Sequence, residues 1–354
     1  MTHLIRQDSR SAAALRALPA ILAMCTAATA CSDRSEPPTM PGVAQATLSQ
    51  ATGATVTILP NLGGGFTAAA DINDAGQVVG WSVDGTATRR AFLWTESDGM
   101  KDLGTLGGTT AEATAINAAG QVVGFSETAA RRLHAFLWTP ERGMQDLGTL
   151  GDAGSVARAI NNRGEVVGYT FAQIGETFEN HALLWTPEQQ LVELPTLGSA
   201  LTAAVAINNA GRVVINIVTA AGEEHPFLWS QQHGMVNVGG LPEEATNGTA
   251  INESGRIVGV AIRQPDARPF IWSANQGLRE LGTHDGPAVA IVSDINDGGQ
   301  VVGSFSAMPG GRHAFVWSLT RGTEDLYAAT GMREARAINN RGQVVGGDRV
   351  ATVR

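Results

Sequence analysis

DINDAGQVVG, residues 71–80, decides the fold because the chain writes it seven times. It returns as AINAAGQVVG (115–124), AINNRGEVVG (159–168), AINNAGRVVI (206–215), AINESGRIVG (250–259), DINDGGQVVG (294–303) and AINNRGQVVG (337–346). The motif asparagines Asn73, Asn117, Asn161, Asn208, Asn252, Asn296 and Asn339 lie 44, 44, 47, 44, 44 and 43 residues apart. Asn-x-x-Gly between short apolar runs predicts a hairpin. Its glycine takes the left-handed conformation while the asparagine side chain bonds the turn backbone.

A second element keeps phase with the first: RAFLW (90–94), HAFLW (134–138), HALLW (181–185), HPFLW (225–229), RPFIW (268–272) and HAFVW (313–317). A third follows as MKDLGTLGG (100–108), MQDLGTLGD (144–152), LVELPTLGS (191–199) and LRELGT (278–283). Each unit therefore reads as four short strands, a to d. Strand a ends in Ala-Ile-Asn, b is QVVG, c is HAFLW and d is QDLGTL. Strand c is apolar on both faces, so its sheet must be covered on both sides. Four antiparallel strands in about 44 residues, each sheet between two neighbours, describe a propeller blade.

The expected fold is all-β: a seven-bladed β-propeller of four-stranded blades over residues 55–354, with six full repeats and one split repeat. TVTILPNLGG (55–64) reads as a strand d, and the last motif is followed only by GDRVATVR (347–354). Pairing that N-terminal strand with the C-terminal blade closes the ring and removes its open edges. Whether the closing blade has three or four strands stays open. An open solenoid is the alternative, although no polar cap is visible for one.

Ahead of the repeats, residues 1–30 look like a lipoprotein-type export signal. Arg6, Arg10 and Arg16 precede an apolar run (17–30) that ends in Ala28-Thr29-Ala30, directly before Cys31. Cys31 is the expected lipidation site, Cys25 a rival, and simple secretion after Ala30 the plainer alternative. Residues 31–54 read as a proline-containing tether. The two cysteines, Cys25 and Cys31, are the only ones in the chain, so the repeats hold no thiol chemistry. A net charge of -9 argues against nucleic acid as a partner.

The phased INxxGxVVG, HAFLW and DLGTLGG motifs resemble the HAF repeat family of bacterial extracellular proteins, over about residues 51–354. That resemblance implies export and a repetitive β fold. It carries no catalytic residues onto this chain. Repeat four departs most, with Ile215-Asn216-Ile217 replacing the usual glycine, aromatic and serine.

Several residues invite chemistry. The Asp-x-Asn-Asp copies at 71–74 and 294–297 look like the start of a calcium loop. The fifth position is Ala75 or Gly298, however, and the later bidentate acid is missing. A turn is expected, with no metal and no cofactor. His134, His181, His225 and His313 fall on successive blades, so they cannot converge on one zinc ion. The in-phase tryptophans are expected between blades. The b–c and d–a loops vary most, and arginines precede strand c on four blades. Arg90, Arg132, Arg268 and Arg312 are the candidate binding residues for an anionic glycan.

The functional expectation is an exported, monomeric binding or scaffold propeller with no catalytic set. It would sit in the outer membrane or periplasm through its lipid anchor, or outside the cell, with an anionic glycan or another envelope protein as partner. The alternative is an enzyme (polysaccharide lyase, glycosidase or lactonase-like) with its site at the ring axis.

Overall fold

A computed structural model describes residues 49–353, apart from 51–53, 152, 175–176, 189, 240–244, 264–265, 283–289 and 308–310. The signal, Cys31 and most of the tether lie outside the described residues.

The repeats form seven four-stranded antiparallel sheets, one per blade. Blade 1 runs through Gly63–Ile72, Val78–Asp84, Arg89–Thr95 and Gly99–Asp102 as strands a to d. Blade 7 takes strands a, b and c from Ala337–Ile338, Gln343–Gly346 and Arg349–Thr352. Its strand d is Thr55–Ile58, antiparallel to strand c with Thr55 opposite Thr352 and Ile58 opposite Arg349. The ring is thus closed by the expected N-terminal strand, and the closing blade has four strands. Ser49–Gln50 adds a short parallel strand to the outer edge of blade 6, so this end of the tether is paired with a sheet.

The repeated decapeptide folds as its residue types require. In every copy the asparagine Oδ1 accepts the N–H four residues on, at 2.9–3.0 Å. The turn glycines, Gly76 through Gly342, have φ of 73–80°, where a side chain would be strained. The same asparagines also join the blades. Each Nδ2 donates to the backbone carbonyl of the next motif asparagine, from Asn73 to Asn117 and onward. Asn339 donates to Asn73 O at 3.0 Å, and the cycle is complete.

Apolar cores lie between successive sheets. Val79 and Ala91 of blade 1 pack with Val122, Phe136 and Trp138 of blade 2, and the pattern recurs around the ring. Trp94, Trp138, Trp185 and Trp272 are buried there, as expected, while Trp229 and Trp317 are half-buried against their clusters. Within blades 1–6, strand a carries a bulge against strand b. A Cβ on Gly124 would come within 2.0 Å of Glu112 O, so the QVVG glycine admits no side chain there. In repeat four, Asn216 exchanges two hydrogen bonds with the backbone of Gly248 in blade 5. The departure from the repeat is an inter-blade clamp.

Candidate functional site

The antiparallel order puts all a–b and c–d turns on one face of the ring and all b–c and d–a loops on the other. On the turn face the two Asp-x-Asn-Asp copies come together, because blades 1 and 6 flank blade 7. Asp71 accepts the N–H groups of Ile72 and of Ile116 in blade 2, at 2.8 and 2.9 Å. Asp294 does the same with Ile295 and with Ile338 in blade 7. Asn340 Nδ2 bridges Asp74 and Asp297 at 3.0 and 3.1 Å. These carboxylates satisfy backbone and amide donors as the turn reading requires. Among the described residues, no group of three or more potential ligands is arranged for a metal ion. Burial raises the Asp71 carboxyl above its ordinary value against the pull of its two N–H bonds. Burial, and then the charge of Asp71, push Asp294 up to about 7. A polar groove of about 520 Å³ opens nearby between blades 7 and 1, walled by Trp94, Gln77, Gln343 and Arg341.

On the loop face, the first residue of the HAFLW motif meets an acid twelve residues on, at the end of strand d, in five blades. The pairs are Arg90–Asp102 at 2.9 Å, His134–Asp146 at 2.8 Å, His181–Glu193 at 2.6 Å, Arg268–Glu280 at 3.3 Å and His313–Asp325 at 2.7 Å. Blade 4 has Asn237 in the acid's place, and His225 turns to Glu223. The hydrogen bonds of Glu193 and Glu179 raise the His181 imidazole, against partial burial. His134, His181 and His313 therefore tie strand c to strand d, as do two of the four candidate arginines, Arg90 and Arg268. Arg132 closes a b–c turn, its N–H donating to Thr128 Oγ1. Arg312 is exposed, and its side chain has no partner among the described residues. The i, i+12 pairing was visible in the sequence as two in-phase motifs, though only if they were read against each other.

Blade 6 departs from the repeat beside Arg312. After the apolar residue that follows strand d, blades 1–5 carry Gly104, Gly148, Pro195, Gly239 and Gly282, whereas blade 6 carries Tyr327. It opens a one-turn helix, Tyr327–Thr330. Its ring stacks on His313 at 4.3 Å, and Arg333 lies over its other side at 5.2 Å from the centroid. Arg333 donates to Tyr327 Oη at 3.3 Å and is exposed. Its Nη1 lies beside Gly311, next to Arg312. His313 Nδ1 is held by the buried Asp325, and its Nε2 is buried with no partner. Arg333 thus covers an aromatic stack, Arg312 adjoins His313 along strand c, and neither arginine has a carboxylate partner among the described residues. The signal for this site was the single Leu-Tyr where the other six blades have a Leu/Val-Gly/Pro step.

No family model matches the chain, and no curated protein matches it. Solved structures share its ring. Virginiamycin B lyase from Staphylococcus aureus superposes with a TM-score of 0.58 at 11% identity, over 85% of this chain and 100% of that one. The β-propeller domain of the Trilobed protease from Pyrococcus furiosus gives 0.57 at 9% identity, over 73% and 83%. Puromycin hydrolase gives 0.56 at 13% identity, over 86% and 53%. Identities this low speak for fold alone. The chain is a seven-bladed β-propeller, similar in architecture to proteins of different activities.

Proposed function

We propose that the protein is an exported, envelope-tethered binding propeller that takes an acidic glycan on its loop face, where blade 6 meets blade 7. The observation that carries this reading is the pair Arg312 and Arg333. Neither has a carboxylate partner among the described residues, while Arg90 and Arg268 each have one. A guanidinium without a counter-ion presents a planar fork to a carboxylate or sulfate. The Tyr327 hydroxyl, which accepts from Arg333, adds a polar group beside that fork for a ligand hydroxyl. Export and the tether rest on residues 1–31, whose last residue, Cys31, would carry the lipid.

Calorimetric titration of the protein with a uronate-containing oligosaccharide tests the reading. Affinity should fall about tenfold between about 50 mM and 200 mM salt. It should disappear in Arg312→Ala/Arg333→Ala at an unchanged melting temperature. Salt-independent binding, or binding that survives the double substitution, overturns it.

A second reading, an acid–base enzyme, is favoured by His313. A histidine oriented by a buried aspartate, with Nε2 left without a partner, has the arrangement of a general base. Tyr327 would have to swing away before Nε2 met a substrate. Incubation with the same oligosaccharide and mass analysis of products separates the two readings: cleavage selects the enzyme, and an intact ligand selects the binder.

A further inference from the structure

Trp81 is the one tryptophan outside the strand-c register. It stands on strand b of blade 1, where blades 4, 5 and 6 hold the buried Asn216, Val260 and Ser304. Trp81 is only half-buried, and Phe66, on the innermost strand, is 52% exposed. The two rings stack with centroids 5.0 Å apart and planes 26° from parallel. Arg89 lies over Trp81 at 4.4 Å, and its Nη1 donates to Glu112 Oε1 of blade 2 at 2.6 Å. Blade 7 on the other side is low. Its strand b has four residues against seven in blade 1, and its b–c turn bonds to Ala69, below Phe66. At about 3.3 Å per residue, the missing length leaves a step of about 10 Å on the blade 7 side of blade 1, across the sheet from Arg89 and Glu112.

We infer that Phe66, Trp81, Arg89 and Glu112 form a platform for an uncharged sugar ring on the loop face between blades 1 and 2. Two features select this occupant. Along the chain, Phe66 is flanked by Gly63, Gly64, Gly65 and Thr67, and the adjoining b–c turn carries Asp84, Thr86 and Thr88. An aliphatic partner finds no contiguous apolar area there. A pyranose offers one C–H face for the ring and hydroxyls around its rim. Arg89 supplies donors and Glu112 an acceptor at the edge of the platform. Their pairing also neutralises the charge, so this subsite has no demand for an anion and differs from the one at Arg312 and Arg333. It stands whether or not that acidic subsite does.

The test titrates the full chain with cellohexaose, maltohexaose and chitohexaose in about 0.5 M salt, where exposed ion pairing is screened. At least one neutral hexaose should bind, with a shift in tryptophan emission. Affinity should fall about tenfold or more in Phe66→Ala and in Trp81→Ala, and should be unchanged in Arg312→Ala/Arg333→Ala. Phe66 is exposed, so its variant keeps the fold even if Trp81→Ala does not. Glu112→Gln should weaken binding while leaving the aromatic pair intact. Failure of all three sugars, or binding that survives Phe66→Ala, overturns the inference. So does a patch that takes an apolar dye no hexaose displaces. Loss in the arginine variant with no loss in Phe66→Ala would return the binding to the acidic subsite alone.

Discussion

Blade 2 and blade 7 share one topology and hold together differently. Blade 2 is a continuous stretch whose strand c brings Phe136, Leu137 and Trp138 opposite Gly124, Val123 and Val122. At the same register blade 7 has Arg349, Val350 and Ala351 opposite Gly346, Val345 and Val344. The seam has lost two aromatic side chains. It keeps the bonds that recur elsewhere in the ring, Asn339 to Asn73 and Asp294 to Ile338, and adds Asn340 Nδ2 bridging Asp74 and Asp297, and Arg349 to Thr330 O. Burial tolerates small shifts in position, whereas a hydrogen bond fixes register. The place where the two chain ends must find each other is where the molecule relies most on geometry.

The harshest way to break this comparison is to remove strand d of blade 7. Deleting residues 1–58 should lower the melting temperature by more than about 10 °C, or leave an aggregating chain with an open edge. Deleting 1–48 should leave it nearly unchanged. Equal melting of the two truncations would mean that the seam does not hold the ring.

A sharper test compares one side chain in two places. Asn117 and Asn339 make equivalent bonds, each accepting two turn N–H groups and donating across to the next blade. Replacing either with alanine leaves buried backbone groups unpaired, at a cost of about 3 kcal/mol. Urea unfolding should show the larger loss for Asn339→Ala, where less apolar packing shares the load. A larger loss for Asn117→Ala would reverse the argument.

The gentlest probe is pH. Asp294 holds its proton in the folded ring up to about 7, against 3.8 for an ordinary aspartate. Between those values the folded state binds more protons than the unfolded chain, so stability falls as pH rises from about 4 to about 7. Asp71 is shifted the same way by burial and adds to the trend. Stability should therefore be lower by about 3 kcal/mol at pH 7.5 than at pH 4.5. Asp294→Asn should flatten the slope. A melting temperature that rises across this window would contradict the burial of these carboxylates.

The repeat made much of this legible. Asn-x-x-Gly predicts the turns, the two-faced HAFLW predicts covered sheets, and the phase of residues 55–64 predicts the closing strand. Strand c of blade 7 escaped because Arg349, Val350 and Ala351 carry none of the HAFLW pattern, and a two-residue turn leaves no loop to mark it. The candidate site was half legible. A row of arginines before strand c stood out, but which of them had carboxylate partners depended on residues twelve positions away. The meeting of Asp71 with Asp294 could not be read locally, because adjacency across a closed ring is set by blade number and not by sequence distance.

The cycle of asparagine bonds also sets a schedule. Every link runs in one sense, and the last, Asn339 to Asn73, joins an early part of the chain to a late one. Chains are synthesised from the N-terminus at about 5–20 residues per second. A nascent polypeptide will therefore carry finished blades for several seconds before residues 343–352 emerge to receive Thr55–Ile58. Through that interval the first strand must wait unpaired, exposed to any other strand that could claim it. Ring closure is therefore a late step, and how long residues 55–58 stay free of other strands decides how many chains close on themselves and how many close on a neighbour.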